Sequence, residues 1–228
     1  MPKRSKRNRY STKGLIENEY ERGGKVLRNK LGIRKRSEME QAEAKAFRKS
    51  QMHFYKLFSE DPSPAITEKL IRDIHHHWLR RIYQWAGNYR QVNLSKEDFT
   101  FPPASLQDGS PNIQRLMEGF EEEILRKYAS LRKGEDLTKV GKAIAIVHGE
   151  FEMVHPFREE NGRIGRLIAD LIALQAGYPP LIFDIEGKPK NRRIYFEAMK
   201  EVFVNKNYGP LTDVVEKAIK MGLEKAIK

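Results

Sequence analysis

His155-Pro156-Phe157-Arg158-Glu159-Glu160-Asn161-Gly162-Arg163-Ile164-Gly165-Arg166 stands between two apolar stripes of helical period. Ahead of it Val140, Ile144, Val147, Phe151 and Val154 recur every three or four residues. Behind it Ile164, Leu167, Ile168, Leu171 and Ile172 do the same. The reading is helix, short loop, helix, with His155 closing the first helix and Gly162 opening the second. The first amides of a helix have no intrahelical acceptor and its dipole adds partial positive charge, so the junction suits an anion. Arg163 and Arg166 lie three apart on one helical face, where both forks can reach one polyanion. Glu159 is an oxygen donor of the kind Mg²⁺ takes alongside substrate phosphates. His155 is a side chain able to accept a proton from an attacking hydroxyl. Together these residues suit chemistry on a polyphosphate.

Working outward, Met39, Ala42, Ala46, Phe47, Phe54, Leu57 and Phe58 predict a helix over 38–58, and Pro62 and Pro64 break the chain after it. Ile66, Leu70, Ile74, Trp78 and Ile82 predict another over 65–85. Further helices are expected over 112–131, 138–154, 191–204 and 211–225. Gln91 to Leu94 and Phe99 to Phe101 alternate on either side of a turn-like Ser95-Lys96-Glu97-Asp98, which predicts a short β-hairpin stopped by Pro102-Pro103. Such a ribbon is marginal alone and must lean on helices. The fold class is an all-α bundle carrying one small β-hairpin.

The 228 residues, 39% hydrophobic, are enough for one core. No run of 18 apolar residues and no signal-like leader is visible, so a membrane span is not expected and a cytoplasmic origin is. With no cysteine, disulfides, thiolate nucleophiles and cysteine-based zinc sites are excluded. The net charge of +12 is uneven: residues 1–36 hold thirteen Lys/Arg against three Asp/Glu, which leaves +2 for the other 192. That arm could bind nucleic acid or an anionic surface. Residues 1–13, lacking any apolar period, read more simply as a disordered, solvated tail. A dedicated nucleic-acid domain would spread its cations over the body, interleaved with aromatics, and this chain does not.

A lone histidine before a proline ordinarily just ends a helix, and Arg/Glu runs are ordinarily solvated. Here each position has a separate role, and the order resembles the signature of the Fic family, His-x-Phe-x-[Asp/Glu]-Gly-Asn-Gly-Arg-x-x-Arg. The match holds at His155, Phe157, Glu159, Asn161, Gly162, Arg163 and Arg166, and departs at Glu160, where the family has Gly. Ile82 to Arg90 resembles the family's stretch before its flap, Ser95 to Pro103 the flap hairpin, and Val26 to Ile33 a lead-in segment of bacterial members. The resemblance covers roughly residues 20 to 205 and divides the chain into a basic arm (1–13), an N-terminal helical lead-in (14–64), a Fic core (65–205) and a C-terminal helix (206–228).

The resemblance implies a nucleotidyltransferase that moves AMP from ATP to a Ser, Thr or Tyr hydroxyl of a target protein. In that scheme His155 is the general base and Glu159 holds Mg²⁺. Asn161 and Gly162 cradle the phosphates, and Arg163 and Arg166 neutralise the leaving pyrophosphate. Phe99, Thr100 and Phe101 of the flap dock an extended target segment by strand addition. Glu160 is atypical: glutamate resists the φ > 0 that glycine allows, and its charge repels phosphate unless it turns to solvent, recruits metal or pairs with Arg158. Three outcomes follow: AMP transfer with weaker ATP affinity and Glu160 pointing outward, another phosphate donor, or a silent nucleotide- or protein-binding module. The setting is either the cell's own cytoplasm, as a toxin-like regulator with a possible antitoxin-like partner, or a host cell entered as a secreted effector.

The family's inhibitory [Ser/Thr]-x-x-x-Glu-[Gly/Asn] motif has no full match. Thr212 to Glu216 has the spacing, but Lys217 follows, and a helix cap with an exposed glutamate is the simpler reading. His75-His76-His77 cannot share one ion on a regular helix, because successive residues point about 100° apart. A mixed core and surface role is expected there. His148 should pack or cap, and Trp78 and Trp85 should be core.

Overall fold

The computed structural model describes residues 11–13, 20–21, 26–96 and 99–227. In chain order the elements are β1 (Ser11–Lys13), α1 (Arg36–Glu60), α2 (Glu68–Leu79), β2 (Asn93–Lys96), β3 (Phe99–Thr100) and α3 (Asn112–Gly119). A π-helical turn, Phe120–Leu125, carries α3 into α4 (Arg126–Tyr128). Then come α5 (Leu137–Val154), α6 (Asn161–Gln175), α7 (Pro189–Asn205) and α8 (Gly209–Ala226). This is the expected all-α bundle with a small antiparallel sheet.

The stripe read in the sequence makes α5 the axis of the molecule. Val140, Ile144, Val147 and Phe151 are almost wholly buried, with α6 and α8 packed along them. Each such side chain removed from water contributes about 1.5–3 kcal/mol. The helix is started by Asp136, whose carboxylate accepts from the Lys139 amide at 3.0 Å. α1 covers the far side of α6 and also packs on α2. The last helix is part of the same core, since Leu211, Val215, Ala218 and Ile219 of α8 are buried.

α2 ends at Leu79, six residues short of the expected end. The Lys30 ammonium binds the Arg80 carbonyl (2.7 Å), and the Lys30 amide binds the Ile82 carbonyl (2.7 Å). The amides of Ile82 and Tyr83 both return to Leu79. The lead-in segment thus takes the carbonyls a longer helix would need, and Ile82 is buried from a turn instead.

β2 pairs with β3 through Ser95↔Thr100 and Lys96↔Phe99. On its other edge β2 pairs with β1 through Ser11↔Ser95, Thr12↔Leu94 and Lys13↔Asn93, giving the order β1-β2-β3. Residues 11–13, expected in a disordered tail, therefore form a strand, because an open sheet edge offers backbone partners that even a polar segment can use. Residues 1–10 of that tail lie outside the described residues. Leu94 and Phe101 make a small cluster of their own, and Phe99 stacks on Phe203 of α7 at 4.6 Å. Among the described residues, no helix is long and apolar enough to cross a membrane.

Candidate active site

The loop between α5 and α6 is held by two residues in the left-handed region. His155 (φ 50°) ends α5, its amide returning to the Phe151 carbonyl at 3.0 Å, and Pro156 prevents further helix. Glu160 (φ 71°) begins α6, and its carbonyl accepts from the amides of Arg163 and Ile164. Between these points Phe157 is an anchor. It is wholly buried and stacks on His75 with ring centroids 3.9 Å apart and planes 3° from parallel. His75 is neutral, its burial bringing the pKa down to about 3. Its Nδ1 accepts from the Gly87 amide at 2.8 Å, so that the proton sits on Nε2.

Asn161, expected with Gly162 to cradle phosphate, has a fully buried side chain that accepts from the Phe157 amide and donates to the Phe157 carbonyl, each at 2.8 Å. A side-chain amide saturated in this way shapes the loop and is not presented to a ligand. As the first helical residues, Asn161 and Gly162 have main-chain N–H groups that lack an intrahelical acceptor.

Glu160 does not turn outward. It is 4% exposed, and its carboxylate lies 3.3 Å from the Arg163 guanidinium. A glutamate thus occupies the conformation the sequence reading reserved for glycine, at a backbone cost of about 1 kcal/mol. Burial follows because the left-handed turn aims the side chain along the loop toward the first turn of α6, where Arg163 waits. Glu159 is partly exposed and pairs with Arg158 at 3.3 Å, and Arg158 in turn donates to the Tyr20 hydroxyl at 2.9 Å. Both carboxylates act on Tyr83, whose hydroxyl is pushed far up by burial and by Glu43, Glu159 and Glu160. Among the described residues no group of three or more His, Cys, Asp or Glu could hold a metal. Two adjacent carboxylates are nevertheless the hard-oxygen set that Mg²⁺ takes when phosphates complete its shell, so the donor chemistry fits.

Arg163 and Arg166 do share a face, and both line one cavity of about 440 Å³ with Arg48, Tyr55 and Asp170. Arg163 Nη1 is buried and meets the Glu160 carboxylate as an ion pair without hydrogen-bond alignment. Asp170 accepts from the Tyr55 hydroxyl and the Leu181 amide, and burial raises its pKa to about 7. His155 is 4% exposed and stacked on Phe101 at 3.9 Å, so the hairpin lies directly over the histidine. Thr100 is exposed beside it, and Phe99 faces Phe203.

The sequence reading missed Arg90, which ties these parts together. Its guanidinium is buried and donates to the carbonyls of His155 (2.8 Å), Val92 (2.9 Å) and Pro102 (2.6 Å), linking the end of α5 to both feet of the hairpin. Burial lowers its pKa only to about 10, which leaves it charged at neutral pH. An arginine after Gly87-Asn88-Tyr89 gave no local signal of that role. Glu216, by contrast, lies against Gly141, fourteen residues before His155 on α5 and so about 21 Å along the helix. Its carboxylate is 4.0 Å from Lys220 on the same helix.

A family model described as the Fic/DOC family matches residues 65–173. A protein of Escherichia coli (strain K12) named as a probable protein adenylyltransferase Fic is 28% identical over 155 residues, 67% of this chain and 70% of that protein. Protein adenylyltransferase VbhT of Bartonella schoenbuchensis is also 28% identical, over 67% of this chain but only 30% of its own length. Among solved structures, the BepC effector of Bartonella tribocorum with bound AMPPNP superposes with a TM-score of 0.66 at 23% identity, over 88% of this chain and 95% of that one.

Proposed function

The chain belongs to the Fic/DOC family, and from that premise we propose that it transfers AMP from ATP to a hydroxyl side chain of a target protein. One observation carries the reading: His155 at the end of α5 and the amides that open α6 bound one short loop, and Arg163 and Arg166 on the first turns of that helix line one cavity. The hydroxyl oxygen would attack the α phosphorus as its proton passes to His155. The bond from that phosphorus to the bridging oxygen would break, and pyrophosphate would leave toward Arg163 and Arg166. Positioning and charge neutralisation supply most of the acceleration in such transfers. Glu159, with Glu160 beside it, would hold Mg²⁺, which neutralises phosphate charge when bound. The hairpin would present the target segment over His155, and a separate inhibitory protein could cover the same site.

The Glu160–Arg163 pair favours a second reading, a donor whose phosphates are held differently from those of ATP. The test separates the two. Native protein, His155→Ala and Glu160→Gly are incubated with α-labelled ATP and lysate, in parallel with other labelled nucleotides. AMP transfer predicts His155-dependent labelling from ATP by the native chain. Glu160→Gly should bind ATP about tenfold more tightly by calorimetry, since a carboxylate is removed from the cradle. Labelling from ATP only after Glu160→Gly, with another nucleotide used by the native chain, would establish the second reading.

A further inference from the structure

The Nδ1 edge of His155 does not face solvent. It lies 3.2 Å from the Glu152 carbonyl and 3.5 Å from the Glu152 carboxylate, one helical turn back on α5. Glu152 is itself buried. Burial alone would raise its pKa, but the His155 contact, with the charges of His155, His148 and Arg166, holds it below the usual carboxylate range. Its other oxygen, Oε1, is buried without a hydrogen-bond partner. α6 comes this close because residue 165 is glycine: a Cβ there would sit 2.9 Å from Glu152 Oε1 and 2.9 Å from His148 Nδ1. Behind Glu152, His148 Nε2 meets the Tyr195 hydroxyl of α7 at 2.7 Å. A buried anion thus stands at the back of the proposed base, in a pocket closed by three helices.

We propose that Glu152 is a positioning residue for His155. Its carbonyl keeps a proton on Nδ1 and so makes Nε2 the basic nitrogen, and its carboxylate orients the ring and balances the positive charge acquired when the ring takes the target's proton. The logic is that of a carboxylate behind a catalytic imidazole, which orients the ring and stabilises the cation without taking the proton itself. The role rests on the AMP-transfer reading, whereas the tautomer it enforces exists in the resting protein. The two can therefore fail separately.

The experiment uses the full chain, without nucleotide for the first measurement. In ¹⁵N-resolved NMR, the native protein should show His155 protonated at Nδ1, its proton shifted downfield by the carboxylate. Glu152→Gln, close in volume and still an acceptor, should keep that tautomer but move the proton upfield, and Glu152→Leu, which leaves the carbonyl in place, should keep the tautomer and move the proton further upfield. In the labelling reaction Glu152→Gln should lower kcat on the order of 10²-fold with the KM for ATP unchanged. An unmoved Nδ1 proton in Glu152→Gln would overturn the proposal, and so would an unaltered kcat or a KM that rises in its place. If the native chain transfers nothing from ATP, the NMR result still decides the role of Glu152 and the failure belongs to the activity.

Discussion

The loop between α5 and α6 and the hairpin above it form one site, yet they are built by opposite means. The loop is buried and over-determined: Phe157 stacked on His75, Asn161 closing both main-chain groups of Phe157, Arg158 held by Glu159 and Tyr20. The hairpin has two strands of four and two residues, a small apolar cluster at Leu94 and Phe101, and a stacking partner on α7. Even with the three residues of β1 on the outer edge of β2, strands this short have little stability of their own. The contrast assigns the parts: groups that must meet phosphate within tenths of an ångström are fixed by the core, and the surface that must accept varied protein segments is propped from outside.

Substitutions in each region should break the comparison in different ways. The largest effect is expected from Phe157→Ala, which empties a fully buried ring site and should cost about 3–5 kcal/mol, lowering Tm by roughly 10 °C and destroying nucleotide binding with it. If Tm barely moved, the loop would not be the over-determined half. Next is the pH response of the helix that carries the arginines. Buried Asp170 has its pKa raised from 3.8 to about 7, so between those values the folded state holds the proton more firmly than the unfolded chain. Its contribution to stability is therefore present below about pH 4 and lost as pH rises through 7, by up to about 1.4 kcal/mol per pH unit. His75 and His148, depressed by burial, act in the opposite sense, so the diagnostic is the difference between native protein and Asp170→Asn in urea midpoints across pH 4–8. The native protein's midpoint should fall relative to that of Asp170→Asn as pH rises, and a constant difference would remove Asp170 from the account. The smallest effect on stability is expected from Phe203→Ala, about 1 kcal/mol for one aromatic pair. The KM for the protein target should rise severalfold while the affinity for ATP holds. Equal losses of both would mean that hairpin and loop are one rigid unit.

Much of this was legible in the chain. The stripe from Val140 to Phe151 fixed α5, and the order of residues from His155 to Arg166 located the site, because helical period and helix-end chemistry are local properties. What escaped was non-local. Lys30 ends α2 by reaching across to the Arg80 and Ile82 carbonyls, and no pattern within 65–85 reports that. The three histidines divide as anticipated: His75 is core, His76 is exposed, and His77 is partly buried against Ser50. Which of them stacks on Phe157 depends on a packing that only the fold supplies. Asn161 is a related case. The motif shows that an amide belongs there, but whether it serves ligand or loop is decided by the geometry of Phe157 four residues earlier. For Glu160 the expectation that glutamate resists φ > 0 overlooked the gain in reaching Arg163, which offsets part of the strain.

The left-handed residues at 155 and 160 also set a length. With both ends of the loop pinned to helix termini, the number of residues between them determines the rotational phase of α6 against α5. One residue more or fewer would turn the second helix by about 100°. Arg163 and Arg166 would then leave the cavity, and the face bearing Gly165 would no longer meet Glu152 and His148. The segment therefore works as a ruler: substitutions within it are negotiable to differing degrees, and its residue count is not.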